Sequence, residues 1–214
     1  MCRKEYPFIS ERMGVWREIV RYLLKDIGEV DSVLELGAGY CDFINQFPAD
    51  KKICIDQEIE MKEFAAKEVD FRVGDAVMCL DSLSTSVDLV FASNFLEHLS
   101  QEQHTQLMPR LYQFLNDEGK LVLIQPNYNL CQKNYFDDET HQTIFSDENI
   151  MSFLEKYGFE VVKLVPGLLP FSMKSKLPKW PWLVRCYLFS PIKPKAAQMY
   201  VIAKKKDKTC GMVK

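Results

Sequence analysis

The sequence lacks the features that mark membrane-spanning, secreted and disordered chains. No apolar run reaches about 18 residues, the length that a transmembrane helix needs. The opening segment carries charges where a signal peptide would have its apolar core. Of 214 residues, 47% are hydrophobic, and only 9 are glycine and 10 are proline, so the composition is neither disordered nor low-complexity. We therefore expect a folded cytoplasmic protein.

Cysteine and histidine are too few and too scattered to indicate a disulfide framework or a metal centre. The seven cysteines include no Cys-x-x-Cys pair, a pattern typical of buried thiols in a reducing compartment. The three histidines, His98, His104 and His141, lie far apart in sequence. This separation predicts that the protein has no dedicated metal site.

Acidic residues are nearly absent from the C-terminal quarter of the chain. Residues 1–160 hold 15 Lys and Arg against 29 Asp and Glu, a balance of −14. Residues 161–214 hold 12 Lys and Arg against the single acid Asp207, a balance of +11. This asymmetry predicts an anionic partner for the C-terminal part, such as a membrane surface or a phosphorylated substrate. The alternative is that the basic part pairs with the acidic body.

Short β-rich runs alternate with helical patterns along most of the chain. The predicted strands are 33–36, 53–55, 71–73, 89–92, 121–124, 160–165 and 198–203. The predicted helices are 10–25, 41–47, 58–67, 101–115 and 147–157, the last closed by Gly158. This alternation predicts one α/β domain over 1–214: a doubly wound, mostly parallel seven-stranded sheet with helices on both faces and an antiparallel closing hairpin.

Two segments flank this regular pattern. A helical segment at about 1–29 precedes the first strand. A stretch at about 166–195 interrupts the end of the domain and contains six of the ten prolines and two of the three tryptophans. We interpret this stretch as an insertion.

An apolar strand at Val33–Leu36 runs directly into Gly37-Ala38-Gly39 and a predicted helix. Glycine permits a tight turn and a close approach of a ligand, and the helix start offers N–H donors. A dinucleotide fingerprint would have a third glycine where this chain has Asp42, whose charge would repel a pyrophosphate. NAD is therefore not the expected ligand.

Polar residues follow each of the next strands. Asp56 ends the second strand, where a carboxylate can accept hydrogen bonds from ribose hydroxyls. Gly74-Asp75-Ala76 follows the third strand, and Asn94 begins a segment after the fourth that continues to Glu97-His98-Leu99. The fifth strand ends in Pro126-Asn127.

In order and spacing, this set resembles the class I S-adenosylmethionine-dependent methyltransferases over about residues 30–165. The resemblance implies a Rossmann-like methyltransferase fold and S-adenosylmethionine as cofactor. It implies that Glu35 orients the glycine loop and the methionine moiety, and it gives cofactor contacts to Gly37, Ala38 and Gly39 along the loop, Asp56 at the ribose, Gln57, Asp75 and Ala76 at the adenine, and Asn94 after the fourth strand. An acidic lining suits a cofactor that carries a sulfonium and an ammonium but no phosphate.

His141 is the predicted catalytic residue. It lies in the segment Phe136–Ser146, which is similar to the D-x-T-H…F-[ST] segment of many small-molecule and saccharide methyltransferases, although Glu139 stands where these often have proline. His141 would act as a general base on an acceptor hydroxyl. The alternative is that it only braces its loop. His98 is expected to be structural, and His104, in an exposed-looking helix, to lie on the surface.

The insertion interleaves Lys and Arg with large apolar residues, including Trp180 and Trp182. This mixture suits a peripheral contact with a membrane interface. The stretch is similar to a segment of methyltransferases in bacterial surface-glycan pathways, whose acceptors can be lipid-linked. The alternative is a lid that packs on the core. No nucleic-acid module accompanies the basic residues, so no nucleic-acid partner is expected.

The predicted function is methyl transfer from S-adenosylmethionine to an oxygen of a small molecule or glycan, including lipid-linked acceptors. One alternative is methylation of a nitrogen or carbon of another metabolite. The tetrad Ser93–Leu96 differs from the N-P-P-Y type, which disfavours amino groups of nucleobases or glutamine. The other alternative is a non-catalytic cofactor-binding or scaffold protein.

Overall fold

A seven-stranded sheet organises the fold in a computed structural model, which describes residues 11–170 and 180–206. The order is β3-β2-β1-β4-β5-β7-β6, with β1 to β5 parallel and β7 antiparallel to both of its neighbours. The strands are β1 Ser32–Leu36, β2 Lys51–Asp56, β3 Val69–Val73, β4 Val87–Ser93, β5 Leu115–Pro126, β6 Phe159–Pro170 and β7 Ala196–Lys205. The predicted doubly wound sheet with its closing hairpin is confirmed.

Helices cover both faces of this sheet. They are α1 Glu11–Ile27, α2 Asp42–Gln46, α3 Ala76–Ser82, α4 Gln101–Phe114, α5 Tyr128–Cys131, α6 Ile150–Lys156 and α7 Pro181–Phe189. Side chains alternate between the faces along each strand. In β1, Leu34 and Leu36 join the cluster under α3, α4 and α6, whereas Val33 joins the cluster under α1, α2 and α7.

Several predicted helix boundaries are corrected by the structure. The stretch 58–67 forms only a short 3-10 helix at Ile59–Phe64. The last predicted helix begins at Ile150 rather than at residue 147, and Gly158 follows it with φ +87° as expected of a helix end. Helix α3 is not predicted from the sequence, although Asp75 is a standard N-cap for it.

The predicted start of the insertion at residue 166 is wrong, because β6 continues to Pro170. Pro166 and Gly167 would break a central strand, but β6 lies at the sheet edge, and its register with β7 shifts between Val165 and Leu169. Residues 171–179 lie outside the described residues, and α7 follows them. The chain leaves β6 and enters β7 at the same end of the strands, since Pro170 pairs with Ala196.

The carboxyl ends of the parallel strands β1 to β5 all lie at this same end of the sheet, which is called its carboxyl edge below. Strand order reverses between β1 and β4, which lie side by side although β2 and β3 come between them in sequence. Ligands of open α/β sheets bind in the crevice at such a switch point. The fold therefore brings the predicted cofactor residues to the edge where a ligand is expected.

Candidate functional site

The glycine loop after β1 is held against the end of β2. The backbone N–H groups of Gly37 and Ala38 both donate to the carbonyl of Ile55, at 2.9 and 3.4 Å. Gly37 and Gly39 have φ of +65° and +50°, in the left-handed region that favours glycine. A Cβ on Gly37 would lie 2.6 Å from Cδ2 of Phe95. The turn therefore needs glycine for both conformation and space.

Two buried carboxylates hold this loop by accepting hydrogen bonds from backbone N–H groups. Asp56 accepts hydrogen bonds from the N–H of Gly39 at Oδ2, 2.7 Å, and from the N–H of Glu58 at Oδ1, 3.0 Å. Glu35 accepts from the N–H of Ile44, in α2, at 3.0 Å. Burial, and next the proximity of Cys41, raise the pKa of Glu35 well above its usual value. Both acids are thus structural supports of the loop as well as candidate ligands.

Asp42 is paired, a feature that the sequence argument about its charge omitted. Its Oδ2 accepts from Nε of Arg12, in the first turn of α1, at 2.8 Å. Burial raises the pKa of Asp42, and the charge and hydrogen bond of Arg12 act against that rise. The guanidinium also lies 5.0 Å from the ring centroid of Tyr40. The N-terminus of α2 therefore carries an ion pair rather than an unpaired negative charge.

The predicted adenine residues lie around the ends of β2 and β3. Oδ1 of Asp75 caps α3 by accepting from the N–H groups of Val77 and Met78, at 2.9 and 3.3 Å. Ala76 is buried beside it, and Gln57 is exposed after β2. The N–H of Gly74 donates to the carbonyl of Asp56, which ties these two strand ends together.

Asn94 follows β4 with φ +49°, a conformation that asparagine adopts more readily than most residues. Its Oδ1 accepts from Nε2 of Gln198 at 2.7 Å. Gln198 lies at the start of β7, opposite Pro126 of β5. This contact links the segment after β4 to the antiparallel hairpin, and the sequence pattern gave no signal for Gln198.

The loop that carries His141 docks on the segment after β4. The backbone N–H groups of Gln142 and Thr143 donate to the carbonyl of Glu97, at 2.8 and 3.1 Å. The hydroxyl of Thr143 donates to the carbonyl of Leu99. These bonds bring His141 to His98, with ring centroids 4.9 Å apart. Separation in sequence was therefore a poor guide to which histidines meet.

A hydrogen-bonded chain orients His98. Oγ1 of Thr140 lies 2.8 Å from Nδ1 of His98 and donates to Oδ1 of Asp138 at 2.5 Å. Burial acts to raise the pKa of Asp138, but the hydrogen bonds from Thr140 and the nearby histidines outweigh it and lower the pKa. Thr140 and Asp138 belong to the D-x-T-H segment, but the sequence analysis gave neither of them a role.

His141 is half-buried against Tyr135, with ring centroids 4.8 Å apart. Burial lowers the pKa of His141, opposed by Asp138 and by a hydrogen bond to the Tyr135 backbone. The hydroxyl of Tyr135 donates to the carbonyl of Thr143 at 2.7 Å. A neutral imidazole is the form that a proton acceptor needs.

His104 is not on the surface, which corrects the prediction. It is completely buried, with Nε2 2.9 Å from the carbonyl of Leu96 and its ring packed edge-on against Phe145 and Phe153. Burial lowers its pKa. The contact of His104 with the carbonyl of Leu96 supports the backbone of the segment after β4. We therefore assign His104 a structural role.

The end of the insertion packs on α1 but leaves its tryptophans in solvent. A Cβ on Gly14 of α1 would lie 2.7 Å from Cγ of Pro181. Trp180 and Trp182 are 57% and 58% exposed and stack at 6.0 Å. The exposure of both rings disagrees with the alternative of a lid that buries these two tryptophans against the core. The basic residues Lys174, Lys176 and Lys179 lie outside the described residues.

Much of the described basic charge is paired with the acidic body. Ion pairs join basic residues of 161–206 to acids earlier in the chain: Lys163 to Asp26, Arg185 to Glu18, Lys204 to Glu118 and Lys205 to Asp117. Pairing therefore accounts for part of the charge asymmetry. Lys193 and Lys195, close before β7, are not in the described ion pairs.

Comparisons with known proteins agree with this geometry. Residues 8–164 match the family model described as a methyltransferase domain. No curated protein matches the chain. Among solved structures, the chain is similar to SAM-dependent methyltransferases from Archaeoglobus fulgidus (24% identity, 88% of this chain and 94% of that chain, TM-score 0.63) and Thermotoga maritima (21%, 90% and 91%, 0.62). A third, from Clostridium acetobutylicum, is 12% identical over 90% and 92%, with a TM-score of 0.60. At these identities the likeness shows the fold.

Proposed function

The chain belongs to the methyltransferase domain family, and on that premise we propose that it methylates an oxygen of a small molecule or glycan. The family match confirms the expectation of an enzyme, a methyltransferase with S-adenosylmethionine as its methyl donor. It sets aside the non-catalytic alternative. The acceptor and the acceptor atom are the parts that we propose.

The observation that carries the proposal is the docking of the His141 loop on the segment after β4. The hydrogen bonds to the carbonyl of Glu97 hold a half-buried imidazole at the edge where β1 and β4 end. A group that accepts a proton is needed when the acceptor is a hydroxyl. A neutral amine can attack before it loses its proton, which is why His141 favours oxygen over nitrogen. A carbon acceptor must lose a proton as a hydroxyl does, so the acceptor panel below distinguishes oxygen from carbon.

The cofactor would lie across the carboxyl ends of β2, β1 and β4. Each oxygen of Asp56 accepts one backbone N–H, and a carboxylate oxygen can accept a second hydrogen bond from a ribose hydroxyl. The proposed contact residues are Glu35, Gly37, Ala38, Gly39, Asp56, Gln57, Asp75, Ala76 and Asn94. Carboxylates at this edge suit the positive sulfonium and ammonium groups.

The proposed reaction is an in-line displacement. S-adenosylmethionine would supply an electrophilic methyl group, which the acceptor oxygen would take while the electron pair of the broken carbon–sulfur bond stays with the neutral thioether. The hydroxyl proton passes to His141, whose imidazole releases it to solvent afterwards. The protein contributes mainly alignment and this proton transfer.

We propose a peripheral membrane contact through the tryptophan pair, Trp180 and Trp182. The exposed, stacked rings support it, because tryptophan at a membrane interface buries apolar surface while its N–H stays near water. Pro181, which lies between the two tryptophans in sequence, packs against Gly14, and Gly14 is two residues from Arg12, which pairs with Asp42 at the start of α2. Lipid-linked acceptors would then be presented to the site. No helix among the described residues is long and apolar enough to cross a membrane.

The proposed compartment is the cytoplasm. The five cysteines within the described residues are all thiols, as a reducing compartment would keep them. Cys41, Cys54 and Cys131 are buried as small apolar side chains.

Turnover with S-adenosylmethionine carrying a ¹³C-methyl group tests the proposal. The acceptor panel should contain matched hydroxyl, amine and activated-carbon compounds, free sugars and lipid-linked sugars. The proposal expects a product whose methyl carbon has the NMR shift of a methoxy group. A methylated nitrogen or carbon as the main product would contradict it, and the preferred hydroxyl compound would define the acceptor class.

A further inference from the structure

Three side chains at the acceptor side of the site lie close enough to share one small ligand. One donor atom from each of Glu97, His98 and His141 lies within 4.8 Å of the other two. The carboxylate of Glu97 is fully buried, whereas both imidazoles are half-buried and face solvent in part. We propose that these three side chains form a binding site for a divalent transition-metal ion such as Zn²⁺ or Co²⁺.

The tautomer of His98 follows from its neighbours. The single hydroxyl hydrogen of Thr140 is donated to Asp138, so the contact between Thr140 Oγ1 and His98 Nδ1 requires a proton on Nδ1. In a neutral ring, the lone pair then lies on Nε2. That atom faces the carboxylate of Glu97, with Nε2 and Oε1 4.0 Å apart. Nε2 of His98 and Oε1 of Glu97 thus point toward each other, and both are atoms that can bind a metal ion.

The spacing of these atoms fits an ion better than a direct hydrogen bond. A direct N–H···O bond would bring Nε2 and Oε1 to about 2.7–3.2 Å. Around a metal with bonds of about 2.0–2.2 Å, two ligand atoms lie about 3.4 Å apart in a tetrahedron and about 4.2 Å apart when opposite each other. The observed 4.0 Å lies between these two values, and the 4.8 Å limit on the other separations lies above both, so the three side chains must move closer together to bind the ion.

The surrounding contacts are those that orient metal ligands. Nε2 of Gln125 lies 3.4 Å from Oε2 of Glu97, and the Thr140–Asp138 pair holds the far nitrogen of His98. Such outer contacts fix the tautomer and orientation of ligating side chains.

Two imidazoles and one carboxylate favour first-row transition metals over Mg²⁺ or Ca²⁺, which prefer oxygen ligands. Three protein ligands also leave at least one coordination position for another molecule, as in catalytic rather than structural sites. The inference rests on the proposed function only for what the ion would do, namely hold the acceptor oxygen. His141 would then bind the ion, and it would act as the proton acceptor in the ion-free enzyme.

Titration with Co²⁺ tests the site without any turnover measurement. The full chain, stripped with a chelator and carrying Cys186→Ser to remove an exposed thiol, is titrated while visible absorption is recorded. We expect one saturable Co²⁺ per chain. His141→Ala and Glu97→Gln should each weaken binding at least tenfold, and Thr140→Val, which removes only the orienting hydroxyl, by about tenfold. The control Glu139→Gln changes an exposed carboxylate of the same loop and should bind as the parent does.

Absence of saturable binding in the parent, or unchanged affinity in His141→Ala, would overturn the inference. If the buried change Glu97→Gln disturbs folding, as circular dichroism would show, the half-buried His141→Ala still decides the question. Binding of S-adenosylmethionine to the same preparations is measured in parallel by calorimetry. A parent protein that binds S-adenosylmethionine but not Co²⁺ would refute the metal site alone, whereas a parent protein that does not bind S-adenosylmethionine would refute the proposed function.

Discussion

The ring of Phe95 lies against Gly37 so closely that a Cβ on the glycine would stand 2.6 Å from Cδ2 of the ring. This contact joins the turn after β1 to the segment after β4, at the point where strand order reverses. The two halves of the proposed cofactor site are therefore packed on each other through one glycine. Its φ of +65° adds a second reason why no side chain is tolerated.

We predict that Gly37→Ala weakens binding of S-adenosylmethionine at least tenfold, because the methyl group must displace Phe95 and strain the turn. Phe95→Leu, added to Gly37→Ala, should restore part of the affinity by removing the clash but not the strain. Calorimetry on the parent and the two variants measures both effects. Equal affinity of Gly37→Ala and the parent would show that the loop does not contact the cofactor.

The second prediction concerns the acceptor side. In chelator-treated enzyme, His141→Ala should lower turnover by about 10²–10⁴, because the hydroxyl proton loses its acceptor, while cofactor affinity stays nearly unchanged. Glu139→Gln, in the same loop, serves as the control. Near-normal turnover of His141→Ala would mean that the imidazole only braces the loop, the alternative that the sequence left open.

The third prediction concerns stability and His104. Burial lowers its pKa in the folded protein, so the unfolded chain binds the proton more tightly. The folded state should therefore lose stability as the pH falls below about 6.5, the usual value for histidine. His104→Gln, whose amide can still donate to Leu96, should remove this part of the slope.

Urea unfolding of the two proteins between pH 8 and pH 5 gives the comparison. The parent should lose up to about 1.4 kcal/mol per pH unit relative to the variant once the pH is below 6.5. The difference between the two curves isolates His104 from the other histidines. Parallel curves would show that the ring is protonated at no cost, contrary to its complete burial.

The fourth prediction concerns the tryptophan pair. In a Trp16→Phe background, anionic vesicles at low salt should shift the fluorescence of Trp180 and Trp182 to shorter wavelength and pull the protein down on centrifugation. High salt should weaken this binding, because each basic residue near the surface contributes about 1 kcal/mol. Trp180→Ser with Trp182→Ser should reduce it, and neutral vesicles serve as the control. No binding at low salt would rule out the membrane contact.

The sheet and the cofactor loop could be predicted from the sequence because their signals are local. Apolar runs such as Val33–Leu36 and the glycines that follow fix a strand and a turn within a few residues. The meeting of His98 with His141 could not be predicted in this way. It depends on backbone bonds between Gln142 or Thr143 and Glu97, which local patterns do not specify.

The burial of His104 did have a signal. His104, Leu107, Met108 and Leu111 recur at the spacing of one helix face, and all four are buried. The polar residues between them made the helix look exposed. The sequence pattern of helix α7 indicates a helix less clearly. Its apolar residues follow a proline, and they pack mainly on α1.

Binding of S-adenosylmethionine to Asp56→Ala is the most direct test of the account. Asp56 should accept the ribose hydroxyls while it holds Gly39, so its loss should cost roughly 1–3 kcal/mol of binding free energy. Asp50→Ala, an exposed acid before β2, is the matched control. Calorimetry should show binding of S-adenosylmethionine but not of NAD to the parent, and weaker binding to Asp56→Ala alone. Equal binding of NAD, or an Asp56→Ala variant that binds S-adenosylmethionine as the parent does, would contradict the proposed site.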